Sequence, residues 1–226
     1  MCPYELLNLY TLALNTLDFK CAVVTGGGGG LGRAMADELL MKGKDHPEVD
    51  CLINNAGIQR PLDVNDSSLE EAYQEIDINI RGPMHLTIDL LPHFKSKPSA
   101  TIMNAISLVG YIPFSVINLV YNGTKAWAHF WSMNLRTQLA KEQGSKNIKV
   151  VKIVPLRIAI HLHGGRKDPN DNKENNSDAL LVDKLMSFVT KGWLENQDTI
   201  GAGMDIDIAD RWHGAFGEEY AEAERE

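Results

Sequence analysis

Five consecutive glycines, Gly26 to Gly30, stand between a short apolar run, "CAVVT" (21–25), and a stretch of helical periodicity, "LGRAMADELLMKG" (31–43). A flexible linker of that composition would sit between polar flanks. Bare backbone joining a buried strand to a helix start instead suits a phosphate cradle. Glycine lets the main chain approach the ligand, and the helix N-terminus offers unpaired N–H groups and the positive end of its dipole. The two adjacent valines and the brevity of the first run predict a strand buried on both faces. Apolar residues at 31, 35, 39 and 40, with a stop at Gly43, predict the helix.

The same alternation continues downstream. "VDCLIN" (49–54) reads as a second buried strand, followed at once by "NNAG". Ser67 or Ser68, with Glu70 or Glu71 three positions on, forms a capping-box pattern. Helical phase then runs from Leu69 to about Ile80, is disturbed at "RGP", and resumes to near Pro92. "ATIMNAIS" (100–107) is strand-like, 121–143 is a long helix, and "IKVVKIVP" (148–155) is a strand closed by proline. Residues 179–196 form an amphipathic helix and "TIGAG" (199–203) a last short strand. The polar stretch 164–178 is expected to be a mobile loop, and "EEYAEAERE" a solvated helical end. Strands alternating with helices predict an α/β domain with a mostly parallel sheet. Residues 1–16 read as an N-terminal extension and 17–226 as one domain, with a mobile substrate loop at about 156–196.

Composition narrows the function classes. A net charge of -8 over 226 residues, without a long basic run, argues against a nucleic-acid surface, which needs clustered Lys and Arg. No apolar stretch approaches the roughly 20 residues that span a bilayer, and the N-terminus lacks a basic leader before a clean apolar block. Cys2, Cys21 and Cys51 are an odd number without C-x-x-C spacing, so they read as small apolar residues in a reducing compartment, not as a disulfide or metal framework. His161 and His163 resemble a metal pair but have no evident third ligand, and read as surface histidines. A cytoplasmic location without membrane contact is expected.

Read as T-G-x-x-x-G-x-G (Thr25, Gly26, Gly30, Gly32), the glycine run resembles the cofactor loop of the short-chain dehydrogenase/reductase family. Tyr-x-x-x-Lys by itself carries almost no information. Here, however, the loop is followed in the family's order by "NNAG" (54–57), Asn79, Ser107 at a strand end and "YNGTK" (121–125). The resemblance runs from about Leu17 to about Gly203, and "LINNAGIQRPL" looks most like a fungal and bacterial branch.

The resemblance implies a Rossmann-like, doubly wound parallel sheet, and hydride transfer between a nicotinamide and a carbonyl or secondary alcohol, possible within a biosynthetic pathway. By the match, Tyr121 would be the general acid/base, and Lys125 would favour its phenolate and hold the nicotinamide ribose. Ser107 would hydrogen-bond the substrate oxygen, and Asn79 would hold a water relaying protons toward Lys125. Gly26, Gly30, Leu31 and Gly32 would bind the pyrophosphate; Asn54, Asn55, Ala56 and Gly57 would flank the cofactor, NADP or NAD with NADP slightly favoured. The implied partners are a small carbonyl or alcohol substrate and a second copy of the chain, in a homodimer or homotetramer built on the helices at 69–92 and 121–143. Trp127, Phe130 and Trp131 suit that contact or the core equally. Each site residue also has a plainer reading: a packed aromatic for Tyr121, a solvated lysine for Lys125, a turn cap for Ser107, a helix-kink asparagine for Asn79. Tyr111 reads as loop packing.

The chain departs from the family pattern in one large respect. Only 21 residues separate Gly32 from Asn54, enough for one helix and one strand. The family's second and third strands, with their helices and the residues that sort NAD from NADP and hold adenine, have no counterpart. The sheet is therefore expected to be truncated, with family strands in the order 1-4-5-6-7. The helix after the glycines must then either make a left-handed connection or change faces. Ile106 stands where the family often has serine, and Leu156 and Ile160 replace its usual residues after "KIVP". The second reading is thus a truncated, catalytically inactive relative: a decayed gene product, or a binding or dimerisation partner.

Overall fold

The computed structural model describes residues 19, 22–26, 49–65, 68–155, 182–201 and 203–225. Five strands, β1 (Ala22–Val24), β2 (Cys51–Asn54), β3 (Ala100–Ala105), β4 (Ile148–Val154) and β5 (Thr199–Gly201), form one sheet. All neighbours are parallel, and the spatial order is the chain order, β1-β2-β3-β4-β5. This is the truncated sheet expected from the short interval between the glycines and Asn54. The segment that joins β1 to β2, the helix expected at 31–43 included, lies outside the described residues. So does the hand of that connection.

Alternation along the strands builds two cores. Cys51, Ile53, Met103, Val151 and Ile153 point to one face, where they pack with Leu185, Met186 and Val189 of α4 (Val182–Leu194). Leu52, Ile102 and Val150 point to the other. There they meet Phe94 of α2 (Gly82–Lys95), and Leu135 and Leu139 of α3 (Leu119–Lys141). Apolar residues on both faces of every central strand require helices on both sides, the layering of a doubly wound domain. Cys51 is a buried thiol, in no disulfide, within the first core, as a small apolar residue would be. Among the described residues no helix is long and apolar enough to cross a membrane.

Several boundaries differ from expectation. Ser68 stands at the N-cap of α1 (Leu69–Ile76) but makes no side-chain capping bond; Glu70 and Glu71 act in the first turn, where acidic groups complement the helix dipole. A π-helical turn, Asp77–Arg81, separates α1 from α2. The cause is local: Pro83 has no N–H for the carbonyl four residues back. Pro92 does not end α2, which runs one further turn to Lys95. The acidic tail is not merely solvated. It completes α5 (Met204–Arg225), whose Tyr220 hydroxyl donates to the Met133 carbonyl of α3 at 2.9 Å. The polar stretch 164–178, His161, His163, Leu156 and Ile160 lie outside the described residues.

Candidate active site

The C-terminal ends of β1, β2 and β3 and the start of α3 converge on one place. Thr25, just past β1, binds the turn after β2. Its hydroxyl accepts the Asn55 and Ala56 N–H groups, each at 3.0 Å, and its carbonyl accepts the Asn55 side-chain amide at 3.2 Å. Gly26 follows with φ +72°, and a Cβ there would come 2.9 Å from Ala56 Cα. Only glycine fits that conformation and that approach. Gly30, Leu31 and Gly32 lie outside the described residues.

Asn54 does not face the same way as its neighbours. It shares the face of Leu52, two residues earlier, and is buried against the helices. Its amide donates to Thr87 Oγ1 (3.2 Å) and Asn104 Oδ1 (2.9 Å), and Asn104 in turn donates to Ser132 Oγ (2.9 Å). Its side chain belongs to a ladder joining β2, β3, α2 and α3, whereas Asn55, Ala56 and Gly57 lie at the strand end.

Asn79, in the π-helical turn, holds the chain beyond Gly57. Its Oδ1 accepts Ile58 N–H at 2.9 Å, and its Nδ2 donates to Ile58 O (2.9 Å) and Thr124 Oγ1 (3.1 Å). Oδ1 accepts one of the two bonds it can take, so a water at Asn79 has two acceptors to choose from, that oxygen and the main-chain carbonyl to which Pro83 offers no N–H. Thr124, between Tyr121 and Lys125, closes this link by donating to Tyr121 O at 2.8 Å.

Tyr121 and Lys125 lie one turn apart on the buried face of α3. The Lys125 ammonium donates to Ala105 O at 2.9 Å and lies 5.5 Å from the centre of the Tyr121 ring. Ser107, at the end of β3, hydrogen-bonds the Tyr121 hydroxyl. The four sequence-predicted residues are therefore brought together: Tyr121 meets Ser107 and Lys125, and Asn79 reaches Tyr121 through Thr124. Burial pushes the Tyr121 phenol well above its ordinary range; the Ser107 bond opposes this and the Glu75 charge adds to it. Burial also pushes Lys125 down to about 8, against the opposing pull of Glu75. Desolvation and the Glu75 charge act in the same direction on the phenol, and both favour its protonated form.

Sequence reading passed over Glu75 and Thr124. Glu75 carried one signal, its position four residues before Asn79 on the same helical face. Tyr111, read as loop packing, lies against His129 with ring centroids 4.2 Å apart.

Comparison with known proteins bears on the family and the fold. The family model described as short chain dehydrogenase matches residues 43–168, a stretch that opens after the glycine run. An uncharacterized oxidoreductase, DltE, of Bacillus subtilis is 32% identical over 128 residues, 55% of this chain and 48% of the relative. A probable NADP-dependent dehydrogenase of Haemophilus influenzae is 39% identical over 108 residues, 47% of this chain and 41% of the relative. The chain spans about half the length of these curated relatives. A solved short-chain dehydrogenase from Sphingobium yanoikuyae, in complex with NADPH, shares the fold with TM-score 0.73 at 18% identity, covering 90% of this chain and 94% of that one. Sequence match, sheet order and helix layering agree: the chain belongs to the short-chain dehydrogenase family.

Proposed function

We propose that the protein is an NAD(P)-dependent oxidoreductase that reduces a small or medium carbonyl compound, or oxidises the corresponding secondary alcohol. The observation that carries this reading is the meeting of Tyr121, Ser107 and Lys125 beside the bare Cα of Gly57. A Cβ on Gly57 would lie 3.6 Å from Lys125 Nζ and 3.4 Å from Asn79 Oδ1. The glycine therefore leaves a cradle against the ammonium, and a nicotinamide ribose fits that donor. Lys125 spends one N–H on Ala105 O and has two more for ribose hydroxyls.

When bound, the nicotinamide supplies or accepts the hydride. Tyr121, protonated at neutral pH, gives its hydroxyl proton to the carbonyl oxygen during reduction, and Ser107 donates a hydrogen bond to the same oxygen as charge develops there. Lys125 returns a proton toward the phenolate, with Asn79 as the place for a relaying water. NADP is favoured over NAD because the Haemophilus influenzae relative and a 3-hydroxy acid dehydrogenase of Schizosaccharomyces pombe are named NADP-dependent. A homo-oligomer built on α1, α2 and α3 is supported by Leu69, Tyr73, Ile88 and Phe130, apolar side chains exposed on those helices.

Titration of the purified protein with NADPH and then NADH, following nicotinamide fluorescence and thermal midpoint together, tests the reading. Micromolar binding of either is expected. A folded protein that binds neither at millimolar concentration would be the inactive relative instead.

A further inference from the structure

Ser107 stands at the end of β3, and the chain leaves it through a short 3-10 turn, Leu108–Gly110. Ser107 is the N-cap of that turn but makes no side-chain capping bond, so its hydroxyl is left for Tyr121 and its place is set by the backbone alone. The turn has few bonds of its own. Gly110 N–H donates to Ser107 O and Tyr111 N–H to Leu108 O, each at 2.9 Å, and short 3-10 turns have poor hydrogen-bond geometry. Beyond Tyr111 the chain runs out to solvent, with Pro113 and Phe114 exposed. The turn therefore has to be held by what packs on it.

Two contacts hold it. One is its floor: a Cβ on Gly110 would come 2.6 Å from Lys125 O and 2.9 Å from Lys125 C, so bare backbone lies directly on the main chain of α3. The other is a triangle of rings, with α5 packed on the turn. The Tyr111 ring touches His129 of α3 (centroids 4.2 Å apart) and Trp212 of α5 (6.2 Å), and His129 meets Trp212 edge-on at 4.7 Å and 90°. Edge-to-face contact is the orientation that ring quadrupoles favour. His129 is fully buried and stands one turn beyond Lys125 on the same face. The Tyr111 hydroxyl takes no part, since it is buried without a hydrogen-bond partner; the ring alone does the holding. Two turns beyond Trp212, α5 is tied to α3 again by the Tyr220 hydroxyl, which donates to Met133 O at 2.9 Å.

We infer that Trp212 is a positioning residue for Ser107: through the Tyr111 ring, α5 clamps the turn that sets where the Ser107 hydroxyl stands. This rests on the reading of Ser107 as the donor to the substrate oxygen, but the clamp itself can be read without turnover. Native-state hydrogen exchange in urea below the unfolding transition reads it in the unaltered protein. If α5 holds the turn, the turn is released whenever α5 lifts. The amides of Gly110 and Tyr111 should then be protected no better than those at the centre of α5. A Gly110 N–H that stays protected after α5 has opened would overturn the inference.

Turnover supplies the second readout. Trp212→Ala should lower kcat about tenfold, a part of the roughly hundredfold cost of losing such a donor outright, with the KM for cofactor unchanged. Trp212→Phe, which keeps a ring, should restore most of the rate. In a Ser107→Ala background the same Trp212→Ala change should cost less than about twofold, because the group it positions is gone. A merely structural role would lower the rate equally in both backgrounds, and that result would overturn the inference. If Trp212→Ala does not fold, the exchange pattern of the native protein decides. A protein that binds cofactor and turns over no carbonyl compound would refute the proposed function, while the exchange pattern would still decide the clamp.

Discussion

Two buried lysines lie beside tyrosine rings in this molecule, and their surroundings differ. Lys125 Nζ lies 5.5 Å from the ring centre of Tyr121, and Lys152 Nζ lies 5.7 Å from that of Tyr111. The two are 7% and 5% exposed. Lys125 has the carbonyl of Ala105, the charge of Glu75 and the open Cα of Gly57. Lys152, on β4, meets His129 Nδ1 at 3.4 Å in a box of rings, with Trp212 of α5 edge-on to His129 at 4.7 Å. Burial and the nearby Arg136 push Lys152 down to about 7, and burial with both cations pushes His129 down to about 3. A tyrosine over a lysine is therefore not a proton-transfer site by itself. Room for a ligand beside an open glycine marks one pair; packed rings and a guanidinium, which Asp198 offsets only in part, mark the other.

Breaking each pair should give opposite results. Tyr121→Phe should lower reductase activity by about a thousandfold, within the usual range for a lost general acid, with an unchanged melting curve. Tyr111→Phe should leave turnover within about twofold, because nothing routes a proton through that ring. Steady-state rates on any accepted ketone check both, and comparable losses would erase the distinction between the pairs.

Lys125→Met should weaken cofactor binding by about tenfold, the worth of one charge-assisted hydrogen bond. In the native protein that affinity should fall as pH rises through about 8, where Lys125 loses its proton. Titrations at several pH values, with the variant flat across the same range, check the assignment.

Lys152→Met should stabilise the fold by about 2 kcal/mol, since it replaces a buried amine with an apolar chain of similar length. The sign with pH is fixed by linkage. Lys152 titrates at about 7 in the folded chain and 10.5 in its ordinary state, so the native protein carries the full penalty below about 7 and sheds it as pH rises toward 10.5. The advantage of the variant, read from denaturant midpoints, should therefore be largest at acid and neutral pH and fade in alkali.

The smallest change in structure is Gly57→Ala. Its Cβ would meet Asn79 and Lys125 at ordinary contact distances, so stability should change by less than about 1 kcal/mol. Cofactor affinity should nevertheless drop severalfold, because the methyl fills the cradle. Unaltered affinity would place the ribose elsewhere.

Much of this was legible in the chain. The strands were visible as short apolar runs bounded by glycine, asparagine or proline, and their face parity was implicit in a period of two. That same parity could have separated Asn54 from Asn55: Asn54 shares the face of Leu52, which lies in the helix-covered core, and so serves the Thr87 and Asn104 ladder. Glu75 was hidden for a different reason. In "LEEAYQE" it resembles Glu70 and Glu71, which are exposed in the first turn of α1, and only the packing of α1 against α3 buries it. The unbroken course of α2 through Pro92 was masked because proline near a helix C-terminus breaks only one intrahelical bond.

By itself the sequence determined the alternation of strands and helices, the truncated sheet order and the family. Local pattern suffices there, because hydrophobic period and backbone chemistry are properties of neighbouring residues. Tertiary structure alone decided what surrounds each tyrosine–lysine contact and how burial shifts its groups. Those depend on desolvation and on charges brought from distant positions, Glu75 and Gly57 for one pair and Arg136 and His129 for the other, and neither quantity exists until the chain has folded.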